Sequence, residues 1–288
     1  MDMSFAEHVH TSSLARSSNP PAWSGRHLLL RSTVILAFLV ASAPLFGGRR
    51  PGQIDIYDGF EQDTLSSLWS QDRFENGAVV MESSVVRSGH KALAITVRSH
   101  DKFEAGSGGS KNSERDELLE ANPFNSKEGV PYEFSFSMFF PKDFPIVPTR
   151  LVIAQWKQQC PTEDGPCSDT SPVLALRYMG GALLVTQDLQ GQRIVLYRQV
   201  GEFRNRWLDF RVQARFTPQS NGFARVWLNG QQIVRFTGIT ANPENHTTGF
   251  DSPSTYYFKM GLYRDVMSQP MTVYIDEYRK RTLEQSLR

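Results

Sequence analysis

The sequence predicts an all-β fold in which two antiparallel sheets pack as a sandwich or jelly roll. From residue 53 onward, apolar and polar residues alternate in short runs separated by turn residues, which is typical of half-buried strands and not of helices. The number of these runs suits a two-sheet sandwich. A chain of 288 residues with 40% apolar residues can bury a full core. We expect little helix, with one turn near residues 64–68.

Residues 1–50 do not follow this pattern, and we expect them to be an export signal and disordered segment outside the fold. Residues 28–46 are strongly apolar apart from an interruption at Arg31, and near their end they contain the small-residue sequence Ala-Ser-Ala at 41–43, as export signals do. Their uninterrupted apolar part is short for a membrane span. We therefore expect a secreted or periplasmic protein, with a membrane anchor at 28–46 as the alternative. Residues 51–288 are predicted to form a single domain.

The candidate strands are short and lie between residues that favour turns. The strongest hairpin signal is Asn229-Gly230 between two alternating runs. Prolines at 141, 145 and 148 make residues 141–149 a surface loop, because proline cannot donate a hydrogen bond within a sheet. The candidate strands are residues 54–57, 78–86, 92–98, 132–139, 151–156, 173–178, 182–188, 207–216, 222–228, 231–237, 256–263 and 272–279.

Charge and cysteine content limit the possible partners. The formal net charge is +1, so nothing global points to nucleic acid, and attraction for an anion would need local clusters of Arg and Lys.

Cys160 and Cys167 are the two cysteines of the chain. In an oxidising compartment a pair this close favours a disulfide that closes a loop, whereas a metal site would need more ligands.

Residues 256–263 place polar side chains on one face of a predicted strand. Alternation sends their bulky apolar side chains to the opposite face, towards the core. The glycine leaves room for a close approach by another group. The polar face consists of Tyr257, Lys259, Gly261 and Tyr263.

Two further segments carry polar residues that share a face. In residues 151–157, alternation groups Gln155 and Lys157 with Leu151 and Ile153, and it places Val152 on the other face.

In residues 114–120, alternation places Arg115 and Glu117 on one face of a strand, although periodicity alone leaves the segment as strand or helix. Each of the three segments alone also fits an ordinary solvated surface.

Taken together, the three segments resemble the jelly-roll polysaccharide lyases, the group that includes alginate lyases, glucuronan lyases and heparin lyase I-like proteins. The sequence Tyr-Phe-Lys-Met-Gly-Leu-Tyr at 257–263 is similar to the Tyr-Phe-Lys-x-Gly-x-Tyr strand of alginate lyases. Arg-Asp-Glu-Leu-Leu at 115–119 and Gln-Trp-Lys at 155–157 match two other strands more weakly. Asp-Gly-Phe-Glu at 58–61 and Val-Tyr-Ile-Asp-Glu at 273–277 look like the heparin lyase I-like and glucuronan lyase branch.

The resemblance implies a jelly roll with a concave groove for an anionic polysaccharide, and cleavage of uronic-acid polymers by β-elimination. Tyr263 is the implied base and acid, since nearby cations can favour its phenolate. Arg115 and Gln155 would neutralise the uronate carboxylate. The residues expected to bind substrate are Lys157, Lys259, Tyr257, Glu117, Arg264 and His100.

The sequence departs from the alginate lyase pattern at several of these positions. Lys157 stands where alginate lyases have a histidine, Leu119 where they have a second arginine, Asp116 where they have Ser or Thr, and Arg264-Asp265 where they have Asn-Gln. The departures favour a glucuronan-like polymer over alginate. His100 or His246 would be a second base if either reaches the groove.

The resemblance leaves two rival functions and a metal question open. A glycoside hydrolase would need two carboxylates flanking the bond, and a non-catalytic carbohydrate-binding module can share the fold. We assign no catalytic metal and require no cofactor. A structural Ca²⁺ remains an alternative near Asp58 and Asp276, or near the acidic residues at 163, 164 and 169. We expect a monomer without stable membrane insertion.

Overall fold

The computed structural model describes residues 53–106, 111–159, 171–242 and 254–284. Within these ranges the chain forms two antiparallel sheets of eight strands each and a short 3₁₀ turn at Asn122–Phe124. The predicted all-β sandwich is therefore confirmed. No helix in the described part of the chain is long and apolar enough to cross a membrane.

Sheet 1 has a continuous path of seven strands, and an eighth strand pairs beside this path. In spatial order the path is β14 (Gln231–Gly238), β13 (Gly222–Leu228), β12 (Trp207–Arg215), β7 (Pro131–Phe139), β16 (Met271–Thr282), β4 (Ala92–Val97) and β3 (Val79–Glu82), with β1 (Asp55–Asp58) paired to β16.

Sheet 2 is built in the same way and carries the three polar segments of the sequence. Its path is β11 (Gln192–Val200), β10 (Ala182–Leu189), β9 (Leu174–Met179), β8 (Leu151–Gln159), β15 (Thr255–Asp265), β5 (Ser113–Glu120) and β2 (Trp69–Ser70), with β6 (Ser126–Lys127) paired to β15. The segment that periodicity left as strand or helix is therefore strand β5.

The core lies between the two sheets and is rich in aromatic side chains. Phe258 of sheet 2 stacks on Tyr278 of sheet 1 with ring centroids 5.6 Å apart, and Trp156 packs against Phe258 at 4.9 Å. Full burial of one such side chain stabilises the fold by about 1.5–3 kcal/mol. A buried ion pair also joins the sheets, because Lys280 Nζ lies 2.8 Å from Glu120 Oε2.

The Asn229-Gly230 hairpin is confirmed, since β13 pairs with β14 across it. Both turn residues have positive φ, 48° and 81°, which is the requirement of a type I′ turn. Residues 141–149 form a loop, as the prolines predicted.

Three local expectations were wrong. The strand predicted at 78–86 ends at Glu82, because the Glu82 carboxylate accepts hydrogen bonds from the next two backbone amides and forms a turn. Residues 64–68 contain no helical turn; instead, Ser66 and Trp69 donate to the Asp58 carboxylate. Strand β11 was not predicted, because it is an exposed edge strand with adjacent apolar residues and no clean alternation.

Candidate active site

A groove of about 490 Å³ lies on the face of sheet 2 that points away from the core. Side chains from β5, β8, β9, β11 and β15 line it, together with residues from neighbouring loops. Glu104 is the one carboxylate among its described lining residues. The basic lining residues are Arg73, Lys111, Arg115, Arg150, Lys157, Arg177, Arg193 and Lys259.

Strand β15 forms the centre of the groove floor, as alternation predicted. Tyr257, Lys259 and Tyr263 line the groove, whereas the residues between them, apart from Gly261, are in the core.

Gly261 has φ +139°, and a Cβ at this position would lie 2.5 Å from the backbone oxygen of Asp116. Glycine is therefore required at this position by the close approach of β5.

A bulge beside Gly261 changes which residues of β8 face the groove. The pairing of β15 with β8 shifts between Met260 and Tyr263, and that of β8 with β9 shifts between Val152 and Ala154. As a result Val152 lines the groove and Ile153 lies in the core, the reverse of the expected faces. The prediction was wrong for these two residues and for Leu151, which also lies in the core, because a bulge inserts a residue and breaks the alternation.

Tyr263 lies between two guanidinium groups. The guanidinium carbons of Arg115 and Arg150 lie 4.3 Å and 4.8 Å from its ring centroid. The cross-strand register forms one row over four strands, from Arg177 through Val152 and Tyr263 to Arg115. Val152 is therefore the residue between Arg177 and Tyr263 in this row, and its side chain is short.

Glu117 lies beneath the groove floor and holds three predicted site residues in place. Lys259 Nζ lies 2.9 Å from its carboxylate, Arg115 lies 3.6 Å away, and the Gln155 side-chain amide donates to it. Burial by itself raises the pKa of Glu117. The Lys259 ammonium and the Arg115 guanidinium lower this pKa by more than burial raises it, so it lies below its usual value.

Glu117 was expected to bind substrate, and the structure corrects this: its side chain is 1% exposed and supports the floor. Gln155 lines the groove, but at least one of its amide hydrogens is already used by Glu117.

Lys157 and Tyr257 lie side by side in the groove, paired across β8 and β15. Burial lowers the pKa of Lys157 to about 8, with further contributions from nearby Lys259, Arg115 and Arg73. Burial raises the pKa of Tyr257 to about 12, so its phenol keeps the proton near neutral pH. Lys157 therefore gives up its proton more readily than a solvent-exposed lysine does, whereas the neighbouring phenol holds its proton more tightly than usual.

Arg177 is the clearest site residue that the sequence analysis missed. It is 3% exposed, and its Nε donates to Thr186 Oγ1 at 3.0 Å. Burial lowers its pKa to about 10, with the charge of Arg193 as the next contribution. Alternation along β9, an apolar strand with one arginine, would have placed Arg177 opposite the core. Arg150 lies in the loop before β8 and Arg193 lies in the unpredicted β11, so neither carried a comparable signal.

Besides Glu117, two predicted substrate-binding residues do not line the groove. Arg264 is fully buried on the core side of sheet 2, where it pairs with Glu114 at 2.6 Å and donates to a backbone carbonyl. This corrects its expected role, because the residue after Tyr263 must face the core. His100 is exposed in a loop, its ring stacks on Phe103, and it does not line the groove.

The two carboxylates suggested for Ca²⁺ near the chain ends, Asp58 and Asp276, already accept hydrogen bonds from groups of the protein. Asp58 accepts from Phe60 N, Ser66 and Trp69, and Asp276 accepts from three backbone amides. Across the described ranges no group of three His, Cys, Asp or Glu side chains is arranged to hold a metal ion. Cys160, Cys167, His246 and the acidic residues at 163, 164 and 169 lie outside the described residues.

Comparison with known proteins identifies the family. A family model described as "Polysaccharide lyase" matches residues 50–279. The endo-β-1,4-glucuronan lyase from the fungus Trichoderma reesei superposes with a TM-score of 0.60 at 18% identity, covering 79% of this chain and 95% of that chain. A family 7 alginate lyase, A1-II′, in complex with product superposes with a TM-score of 0.50 at 14% identity, covering 73% and 85% of the two chains.

A search of curated proteins finds no match. The two structures share the jelly-roll fold with this chain. Since the family model spans most of its length, the chain belongs to the polysaccharide lyase family and is a polysaccharide lyase.

Proposed function

We propose that the protein cleaves a polymer containing uronic acid by β-elimination, with a glucuronan-like polymer favoured. The observation that carries this proposal is the groove itself, which is lined by Tyr263 and eight basic side chains, with one carboxylate among the described lining residues. The whole chain has a net charge of only +1, so the positive charge is concentrated locally. A cleft of one sign concentrates a ligand of the opposite sign.

β-Elimination requires neutralisation of the uronate carboxylate, a base for the adjacent C5 proton, and an acid for the departing oxygen. In the proposed geometry the sugar ring lies over Val152, between Arg177 and Tyr263. Arg115 and Arg150, whose guanidiniums lie over the Tyr263 ring, add positive charge on the tyrosine side of the sugar. Guanidinium groups suit this task because their planar fork matches a carboxylate. The same donors would stabilise the enolate-like charge that develops.

Tyr263 is the proposed base and acid, and Lys157 is a second candidate base. The proposal for Tyr263 rests on its position in the groove, where the guanidiniums of Arg115 and Arg150 lie over its ring. The case for Lys157 rests on its pKa of about 8, which leaves part of its population as neutral amine near neutral pH. It occupies the position at which alginate lyases carry a histidine. Tyr257, which keeps its proton, would contact substrate as a donor.

Glucuronan is favoured over alginate for two reasons. The sequence departs from the alginate lyase pattern at Lys157, which lines the groove, and at Leu119. The structure with a TM-score of 0.60 is an endo-β-1,4-glucuronan lyase, and its coverage exceeds that of the alginate lyase.

The groove gives little support to hydrolysis. A glycoside hydrolase places two carboxylates on either side of the bond. Glu104 lines the described groove, but Glu117 lies below it with its oxygens held by cations and an amide. The groove therefore offers cations where hydrolysis would need a second acid.

The decisive experiment offers purified protein to glucuronan, alginate, heparin-type and pectic polymers, with and without Ca²⁺, while near-ultraviolet absorbance is recorded. β-Elimination creates a conjugated double bond that absorbs there, whereas hydrolysis does not. A rise on glucuronan without added Ca²⁺ would support the proposal. Cleavage with new reducing ends but no absorbance would contradict it.

We also propose that residues 1–50 direct export, that residues 51–288 fold as a single monomeric domain, and that Cys160 and Cys167 form a disulfide. The support is the sequence pattern alone. N-terminal sequencing of exported protein, limited proteolysis with size-exclusion chromatography, and thiol titration in denaturant would test these points. A titration of two free thiols in protein recovered from the cell exterior would contradict the disulfide.

A further inference from the structure

The outward face of sheet 1 carries an arginine patch, formed by Arg211, Arg225 and Arg235 on β12, β13 and β14. These strands are neighbours in the sheet, so the patch crosses it at strand intervals of about 5 Å. Arg211 and Arg235 are exposed and Arg225 is partly exposed. The patch lies on the opposite side of the sandwich from the groove and shares no residue with it.

The arginines of the patch have no salt bridge within the described part of the chain, unlike other arginines on the same face. Arg279 pairs with Asp55 at 3.0 Å, and Arg281 pairs with Glu133 at 2.5 Å. On β12, Asp209 pairs with Arg87 at 2.9 Å, so ion pairs occur on this face at β16, β7 and the start of β12, but not at Arg211, Arg225 or Arg235.

Arg225 and Arg235 are direct cross-strand partners. Like charges in this position destabilise a sheet, and an anion bound between them would relieve the repulsion. Arg225 on its other side faces Gln213, which donates to Glu133, so no carboxylate on the neighbouring strand pairs with it.

Aromatic rings orient two of these side chains. The Arg211 guanidinium lies 4.0 Å from the centroid of Trp227, and that of Arg225 lies 4.7 Å from the centroid of Phe223. Stacking fixes the plane of a guanidinium and leaves its N–H edges free to bind a carboxylate in a bidentate manner. The arrangement is thus pre-ordered for anionic groups spaced along an extended ligand.

We propose that this patch is a second, non-catalytic binding site for the anionic polysaccharide, and that it holds a segment of polymer away from the bond being cleaved. The inference rests on the proposed function for the nature of the polymer. Binding at two faces of one molecule raises the effective concentration of polymer at the groove without adding a contact there. The patch would therefore matter for long polymers and not for short oligosaccharides.

The test compares Arg225→Gln/Arg235→Gln with the control Arg98→Gln/Arg206→Gln, both in the Tyr263→Phe background so that polymer is not consumed. The control removes two exposed arginines elsewhere, one of which also stacks on a ring, Phe203. Affinity electrophoresis in gels that contain glucuronan, alginate or neutral dextran gives the dissociation constants. We expect the patch variant to bind the anionic polymers about fivefold more weakly than the control, and dextran retardation to be unchanged.

A second measurement separates this inference from the proposed function. With Tyr263 intact, the patch variant should cleave a short oligosaccharide at the wild-type rate and the polymer with a raised KM. Equal dissociation constants for the patch variant and its control would overturn the inference. The inference would also be overturned if the variant Arg177→Gln/Lys157→Met, which changes only the groove, lost all retardation by the anionic polymers. These comparisons measure binding, so they decide the inference even if no polymer yields an unsaturated product, which would refute only the proposed function.

Discussion

The ammonium of Lys259 lies 2.9 Å from a carboxylate oxygen of Glu117, with both side chains almost completely buried beneath the groove. Removal of one member of a buried ion pair costs about 3–5 kcal/mol, because the other charge is left without a partner. We expect Glu117→Gln to lower the free energy of unfolding at pH 7 by about this amount, measured by urea denaturation. The double variant Glu117→Gln/Lys259→Met should recover most of the loss.

The same pair predicts a direction for acid unfolding. The pKa of Glu117 is lowered in the folded protein, so its contribution is present above the unfolded pKa of about 4.3 and is lost as the pH falls through the folded pKa. The stability difference between wild type and Glu117→Gln should therefore shrink as the pH falls below about 4. A constant difference down to pH 2 would contradict this assignment.

Tyr263→Phe should reduce turnover of the preferred polymer at least about a hundredfold, because it removes the proposed proton-transfer group. Binding should persist, since the cations around the ring remain. Tyr257→Phe is the matched control, because the Tyr257 phenol keeps its proton and is not proposed to transfer it. Steady-state absorbance assays check both variants. If Tyr263→Phe turned over the polymer at the wild-type rate, Tyr263 would be excluded as the base.

Lys157→Met tests the second candidate base. If Lys157 accepts the C5 proton, kcat of the wild type rises with pH towards a plateau above about pH 8. That rise should be absent in Lys157→Met, and Tyr263→Phe should retain it. If the rise persists in Lys157→Met, Lys157 serves only in binding.

The lowered pKa of Lys157 also affects stability. Between about pH 8 and 10.5 the unfolded chain binds more protons than the folded one, so this residue makes stability increase with pH in that range. Lys157→Met removes the unfavourable burial of charge and should raise Tm at pH 7, by about 2–4 °C for each kcal/mol gained. Differential scanning calorimetry at pH 7 and pH 10 measures the effect, which should be larger at pH 7.

Arg177→Gln should weaken substrate binding, because Arg177 is the proposed carboxylate partner on the β9 side of the groove. A hydrogen bond to a charged group contributes about 1.5–3 kcal/mol, so KM should rise roughly tenfold to a hundredfold. Thr186→Val, which removes the hydrogen bond that positions Arg177, should have a smaller effect in the same direction. Arg204→Gln, outside the groove and paired with Glu202, is the control. Unchanged KM in Arg177→Gln would remove this residue from the proposed site.

Alternation predicted the residues at the centre of the site because the pairing of β15 with β5 has no register shift. Tyr257, Lys259 and Tyr263 followed directly from the period of two along the strand. The same period places Arg264 in the core, and the family pattern led to the opposite assignment. In this case the geometry of the strand was a better guide than the resemblance.

Other features could not be read from the strand pattern. The exchange of Val152 and Ile153 comes from a bulge whose position depends on pairing with two other strands. The burial of Glu117 depends on three partners, two cations from β5 and β15 and one side-chain amide from β8. Such long-range partners are set by tertiary pairing, and a single segment of sequence contains no signal for them.

The bulge at Gly261 also bears on how a groove of this kind can be re-engineered. A side chain at this position would collide with the backbone of β5, so the floor cannot be altered by exchanging the residue at its centre. The walls are free of this constraint, because Arg150, Arg177 and Arg193 enter from a loop and from strands on one side of the bulge. Libraries that aim to change polymer preference should therefore diversify the walls and leave the floor intact.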